Sequence, residues 1–232
     1  MQSNENSSKA NKVAVLQFPG TNCEYDTKYA FEKLGAEVVI VWHEETKLPV
    51  DIDLVVVPGG FSYGDYLRSG ALAKNAAIIT AVKEYASKGG KVLGICNGFQ
   101  ILTEIGLLPG ALKRNDNLHF ISKFHLKVVN SDNRFLKHFN NGDIVNIPVA
   151  HHDGNYFIDP KGLEELKQNN QILLRYSDKN GNVKILNGSV EQIAGICNKE
   201  KNVFGLMPHP ERAIETLLGC DDGVKMLQGF LD

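Results

Sequence analysis

No apolar run in this 232-residue chain approaches the roughly 20 residues that span a bilayer, so the sequence holds no membrane-crossing helix. Charge of one sign is also missing. Lys and Arg number 25 against 27 Asp and Glu, a formal −2, which excludes the basic stripe of a nucleic-acid binder and any pull toward anionic membrane. Cysteine is scarce: the four, at 23, 96, 197 and 220, form no C-x-x-C pair. That argues against a disulfide framework or zinc site and for free thiols in a reducing compartment, here read as cytoplasmic. The seven histidines lack H-E-x-x-H or similar spacing, so no metal is expected. No P-loop G-x-x-x-x-G-K-[ST] is present, so ATP chemistry would have to sit on another chain. The first twelve residues, MQSNENSSKANK, lack the apolar core of a secretory signal and read as a disordered polar extension. With no internal repeat and no long linker, residues 13–232 read as one domain, long enough to bury its own core.

What is present is an alternation. "VAVLQFPG" (13–20), "EVVIVWH" (37–43), "LVVVPGG" (54–60) and "KVLGIC" (91–96) are short apolar runs closed by turn residues or by the next segment. They read as buried strands. Between them lie a helical pattern from Cys23 to a stop at Gly35, and a long helix over 71–88 ending at Gly89-Gly90. Another helix follows Cys96 to about Ile105. This order predicts an α/β fold: a central, mainly parallel sheet with helices on both faces. "FHLKVVN", "DIVNIPVAH", "QILLRYS" and "QIAGICN" predict an antiparallel excursion on the same core. "VFGLMPHP" (203–210) returns to a buried strand, and "AIETLLG" and "DGVKMLQGFL" predict closing helices.

One corner stands out. Gly94-Ile95-Cys96-Asn97-Gly98 has the G-x-nucleophile-x-G spacing of a nucleophile elbow, with cysteine in the nucleophile's place. In such an elbow a strand turns straight into a helix, and the middle residue is held strained with its side chain above the sheet. The helix N-terminus beneath favours negative charge on the sulfur, and the Asn97 amide is left to donate to an oxyanion. The alternative is a buried cysteine in a glycine-rich turn; the strand–corner–helix context favours the nucleophile.

A thiol nucleophile needs a base. His43, His119, His125 and His138 have no acid at useful spacing. "MPHPER" (207–212) is different, because Pro208 and Pro210 hold His209 out of helical space at a strand end. In extended chain, residues i and i+2 project to one side, which brings Glu211 toward the imidazole. Thiol, base and orienting carboxylate form a triad, with a proline-rigidified turn as the alternative for this segment. A second oxyanion donor is expected at Gly60, in the turn Pro58-Gly59-Gly60 after a strand. Cys23, in "GTNCEYD", lacks a glycine-flanked corner and reads as structural.

"FPGTNCEYD", "PGGFSYGDYLRSGALA", "GICNGFQIL", "IPVAHHDGNYF" and "MPHPER", in this order, resemble the class I (triad) glutamine amidotransferases from about Lys12 to the C-terminus. Within them the chain is most similar to the glutaminase subunits that serve purine biosynthesis. The resemblance implies a flavodoxin-like fold and a hydrolytic half-reaction. Cys96 attacks the side-chain amide of glutamine, His209 carries the proton to departing ammonia, and Glu211 holds His209. Gln100 matches a position that helps hold the amino-acid end of the substrate, and Arg68 is a further substrate-binding candidate. The family implies no cofactor in this chain. Ammonia passes to a separate synthetase subunit that uses ATP and Mg2+ to convert formylglycinamide ribonucleotide to the amidine, and a small accessory subunit completes the complex. Where many members read His-Gly-Glu-Gly, this chain reads His151-His152-Asp153-Gly154. Adjacent side chains on extended chain point opposite ways, so His151 and His152 cannot both face Cys96, and neither is assigned to catalysis. The rival readings are another cysteine hydrolase, a non-catalytic subunit with the same fold, and a glutaminase feeding a different synthetase.

Overall fold

In the computed structural model the described residues are 10–116, 124–183 and 186–232; His119 and most of the polar extension lie outside them. Lys12, assigned above to the extension, is already the first residue of a strand and pairs with Glu37. The first half of the chain runs β1 (Lys12–Gln17), α1 (Glu24–Lys33), β2 (Glu37–Trp42), β3 (Leu54–Val57), α2 (Ile78–Ser87), β4 (Lys91–Ile95) and α3 (Asn97–Glu104). The second half runs β5 (Ala111–Lys113), β6 (Phe124–Val128), β7 (Ile144–Ile147), β8 (Asn155–Phe157), α4 (Pro160–Gln168), β9 (Ile172–Ser177), β10 (Ile193–Cys197), β11 (Val203–Leu206) and α5 (Asp222–Leu231).

One nine-stranded sheet has the order β2-β1-β3-β4-β11-β10-β9-β6-β7, and β5 with β8 makes a separate two-stranded ribbon. The strands from β2 to β11 are parallel, as the alternation predicts. The segments expected to form an antiparallel excursion on the same core do so as a continuation of the sheet, with β10, β9, β6 and β7 added antiparallel. Every residue of β3 and of β11 is buried, so both faces of the central strands are covered.

Two helix expectations need correction. The helix over 71–88 is a 3-10 turn, Ala73–Asn75, followed by α2, with Ala76 extended between them. Residues before α2 are drawn down onto α3: a Cβ on Gly70 would lie 2.9 Å from the backbone nitrogen of Ile101, and Ala71 and Ala73 are buried. "AIETLLG" holds only the 3-10 turn Thr216–Leu218, because Glu215 is extended and bridges Cys220. Conversely, α4 is a helix that periodicity did not bring out; Asp159 caps it by accepting from Gly162 N at 2.8 Å, and Pro160 opens its first turn. No described helix is long and apolar enough to cross a membrane.

The elbow itself is a matter of clearance. Cys96 sits at φ 51°, ψ −107°, between β4 and α3. That conformation costs of order 1–3 kcal/mol and persists only where the surroundings enforce it. They do so through glycine. A Cβ on Gly98 would stand 1.8 Å from the Val57 carbonyl oxygen, and one on Gly94 would stand 2.8 Å from Gly98 carbonyl atoms. The first turn of α3 therefore rests directly on the backbone at the end of β3. Gly98→Ala should destabilise the fold by about 1–3 kcal/mol through overpacking. Urea unfolding monitored by circular dichroism would measure it, and an unchanged midpoint would refute this close approach.

Candidate active site

Four adjacent parallel strands end side by side, and each delivers a piece of one cavity. The turn after β1 supplies Cys23, that after β3 supplies Gly60, the corner after β4 supplies Cys96, and the stretch after β11 supplies His209. The carboxyl ends of such strands are where open α/β sheets gather ligands. The cavity measures about 220 Å3, a size suited to a small metabolite.

The sequence brings the expected triad together. His209 is buried, and its Nδ1 is 2.7 Å from Glu211 Oε1. Its Nε2 is also buried and has no hydrogen-bond partner. A Cβ on Gly59 would lie 2.8 Å from His209 Cε1 and 3.4 Å from Cys96 Cβ, so imidazole and thiol flank the same small space. Burial alone would push His209 down, but the Glu211 carboxylate and then the Cys96 sulfur outweigh it. The imidazole is held well above its ordinary value and is charged at neutral pH. The Cys96 thiol is 3.7 Å from the Ala150 carbonyl oxygen, and the residue remains 7% exposed at the cavity floor.

The α3 side of the cavity is a hydrogen-bonded frame. Asn97 is the first helical residue, where a backbone amide has no partner within the helix. Its side-chain oxygen accepts from Ser62 N at 3.1 Å, and its Nδ2 donates to Gln100 Oε1 at 2.9 Å. Gln100 lines the cavity and donates from Nε2 to the Asp153 carbonyl at 2.7 Å, tying α3 to the His151–Gly154 loop. Gly60 lines the cavity at φ 134°, with its backbone bridged to Thr21. Arg68 is not brought in. Its exposed guanidinium makes two 2.6 Å bonds to Glu104, and the cations that line the cavity are Arg114 and Arg212. Distance along the chain hid both arginines from sequence reasoning.

Cys23 is the larger surprise. Far from an isolated structural residue, it lines the cavity and accepts from Arg212 Nη2 at 3.2 Å. Among the other cysteines, burial pushes the Cys197 thiol up to about 12, which leaves it inert. His138, which had no acid at useful spacing, meets Asp232 at 2.8 Å from the chain end.

The double histidine divides as alternation requires. His151 is buried and His152 exposed. The His151 ring lies between Asn115 Nδ2 at 3.3 Å and the Tyr176 hydroxyl at 3.2 Å. Gly154 is needed beside it, since a Cβ there would stand 2.2 Å from the ring.

This arrangement has known counterparts. Residues 10–219 match the CobB/CobQ-like glutamine amidotransferase domain. The chain is 68% identical to phosphoribosylformylglycinamidine synthase subunit PurQ of Sulfurimonas denitrificans, over 95% of this chain and 99% of that one. It is 64% identical to the same subunit of Wolinella succinogenes, over 94% and 98%. A chain in the structure of PurLQS from Thermotoga maritima superposes with a TM-score of 0.86 at 44% identity, covering 96% of this chain and 98% of that one. The chain thus belongs to the CobB/CobQ-like glutamine amidotransferases. Within that family its relatives are the PurQ subunits of phosphoribosylformylglycinamidine synthase.

His151 carries a pH signature. Burial first, and the charge on His209 second, lower its pKa to about 3. Between the ordinary imidazole value near 6.5 and about 3, the unfolded chain takes up this proton and the folded chain does not, so stability falls as pH falls through that window. His151→Gln should shrink the stability lost between pH 7 and pH 5 by about 2 kcal/mol, read from paired urea titrations. Equal losses in both proteins would contradict the buried neutral imidazole.

Proposed function

We propose that this chain is the glutaminase subunit of phosphoribosylformylglycinamidine synthase. It hydrolyses glutamine to glutamate and ammonia, and ammonia goes to an ATP- and Mg2+-dependent synthetase subunit. That subunit converts formylglycinamide ribonucleotide to formylglycinamidine ribonucleotide in de novo purine (IMP) biosynthesis. A small accessory subunit completes the complex, which works in the cytoplasm, and residues 13–232 act as one amidotransferase unit. The observation that carries this reading is the His209–Glu211 pair, bonded at 2.7 Å and buried beside the strained Cys96 corner.

Each residue has a definable task. The Cys96 sulfur attacks the side-chain carbonyl carbon of glutamine, and the oxygen that becomes negative is met by the amides of Asn97 and Gly60. Imidazolium at His209, favoured by Glu211, is the form that gives a proton to the departing ammonia. The thioester left on Cys96 is then opened by water, with His209 taking the proton. Glu211 holds Nδ1 and so fixes which ring nitrogen faces the sulfur. Gln100 and Asn97 stiffen the wall where the amino-acid end of the substrate lies, and Arg114 and Arg212 supply cations for its carboxylate. That task falls to them rather than to Arg68, which does not line the cavity.

The surface beside the cavity suits a partner. Phe61, Asp65 and Ser69 line the cavity, and between them Tyr66 and Leu67 are 74% and 86% exposed. Tyr63, Asp65 and Leu67 all have positive φ, so this loop is held in a strained, presented form. An exposed apolar patch at a cavity mouth is a natural seat for the subunit that receives ammonia.

Two measurements test the proposal. With the synthetase present, Cys96→Ala should lower glutamine-dependent amidation by at least about 1,000-fold while ammonia-dependent amidation persists. Retained glutamine use would overturn the assignment. Tyr66→Ser with Leu67→Ser should weaken copurification of the synthetase, and undiminished capture would remove that patch from the interface.

A further inference from the structure

Free glutamine carries a carboxylate and an ammonium on one carbon. Arg114 and Arg212 answer the carboxylate, which leaves the ammonium in need of an anion. Three carbon–carbon bonds, roughly 4 Å at about 1.5 Å each, separate that carbon from the amide carbon attacked by Cys96. The ammonium therefore lands on a wall of the same cavity.

The charges lining that cavity are nearly all matched. Arg114 Nη1 is 3.3 Å from Asp153 Oδ1, Arg212 Nε is 3.0 Å from Asp26 Oδ2, and His209 is bonded to Glu211. Asp65 is the exception. Its half-buried carboxylate lines the cavity, and its hydrogen-bond donors are neutral: Asn97 Nδ2 at 3.2 Å, the Ser69 side chain and the Gly70 amide. Among the described residues the charged group that acts on it is Asp153, of its own sign. Burial first, and that carboxylate after it, hold the Asp65 carboxyl above its ordinary range, with the three hydrogen bonds offsetting part of the rise. A carboxylate in this setting gains from any cation that arrives beside it.

The backbone holds it there. Asp65 has φ 54° and follows Gly64 at φ 67°, a left-handed conformation that Asp tolerates better than most residues. Its carboxylate lies against Asn97, the residue after the nucleophile, while the neighbouring Tyr66 is 74% exposed. Asn97 in turn holds Gln100 at 2.9 Å, so one hydrogen-bonded wall joins Asp65 to the corner where the oxyanion forms.

We propose that Asp65 binds the α-ammonium of glutamine, and so selects the free amino acid over amides without a charged amino group, such as a glutamine side chain inside a protein. This rests on the reading of the cavity as a glutaminase site. The ammonium takes no part in the bond changes, so its contact with Asp65 is equally strong in bound substrate and in transition state, and acts on KM more than on kcat.

Hydrolysis of glutamine and of glutaramate, which is glutamine without its α-amino group, by the chain in complex with its synthetase tests the assignment. The unmutated chain should prefer glutamine in kcat/KM by roughly 10–100-fold, the worth of one hydrogen bond between charged groups. Asp65→Asn, which keeps the shape and loses the charge, should lose most of that preference, through a higher KM for glutamine. Asp153→Asn should keep the preference, because the charge it removes is already matched by Arg114. An unchanged preference in Asp65→Asn would overturn the proposal, as would equal losses on both substrates, the mark of a merely loosened loop. A preference lost in Asp153→Asn but kept in Asp65→Asn would also overturn it. If Asp65→Asn fails to fold, Asp65→Glu and the unmutated chain decide: equal use of both substrates by the unmutated chain overturns the proposal, and a preference that Asp65→Glu reduces without abolishing supports it. Calorimetric binding to Cys96→Ala separates this claim from the one beneath it. Glutamine bound more tightly than glutaramate by Cys96→Ala, and no more tightly once Asp65→Asn is added, would leave Asp65 in its role even if the unmutated complex released no glutamate; that last result would overturn the glutaminase reading instead.

Discussion

The contact between the first turn of α3 and the carbonyl end of β3 governs much else in this molecule. Gly98 lets the helix settle on Val57, and once it has settled, Cys96 has no relaxed way to join β4 to α3. The strain at that residue is thus imposed by backbone packing over a buried core rich in Val, Leu and Ile. The same seating aims the sulfur at the ends of the neighbouring parallel strands, where His209 arrives from β11 and Cys23 from β1.

Two buried histidines near one cavity are driven to opposite charge states by what surrounds them. His151 meets an amide and a phenol, so burial, with the charge on His209 acting the same way, decides and the ring is neutral. His209 meets a carboxylate whose side chain is fully buried, and the pair is stable only if the imidazole carries the compensating charge. The unpartnered second oxygen of Glu211 and the unpartnered Nε2 of His209 are the costs of that arrangement. They are tolerated where chemistry needs a reactive edge rather than a satisfied one.

What could be read from the sequence was local. The parallel strands, the Gly94–Gly98 spacing and the proline-held His209 each lie within a few residues, and each occurs where expected. The register i, i+2 was enough to join His209 to Glu211. Contacts between segments were a different matter. Nothing near Cys23 in the chain announces Arg212 or His209, and nothing near Arg114 announces Asp153. The helix expected over 71–88 is shortened by Gly70 lying against α3, a tertiary demand that propensity does not register. The helix α4 had its signals in Asp159 and Pro160, but its face buries only Leu166, too little for periodicity to stand out.

The sulfur of Cys96 as the atom that takes up the glutamine carbon is the claim on which this account stands. The most direct test treats the full chain, in complex with its synthetase, with an electrophilic glutamine mimic and maps the adduct by peptide mass spectrometry. The account predicts one adduct, on Cys96, formed together with loss of glutamate release. An adduct on Cys23 instead, or none on Cys96 while glutamate release continues unimpaired, would contradict it.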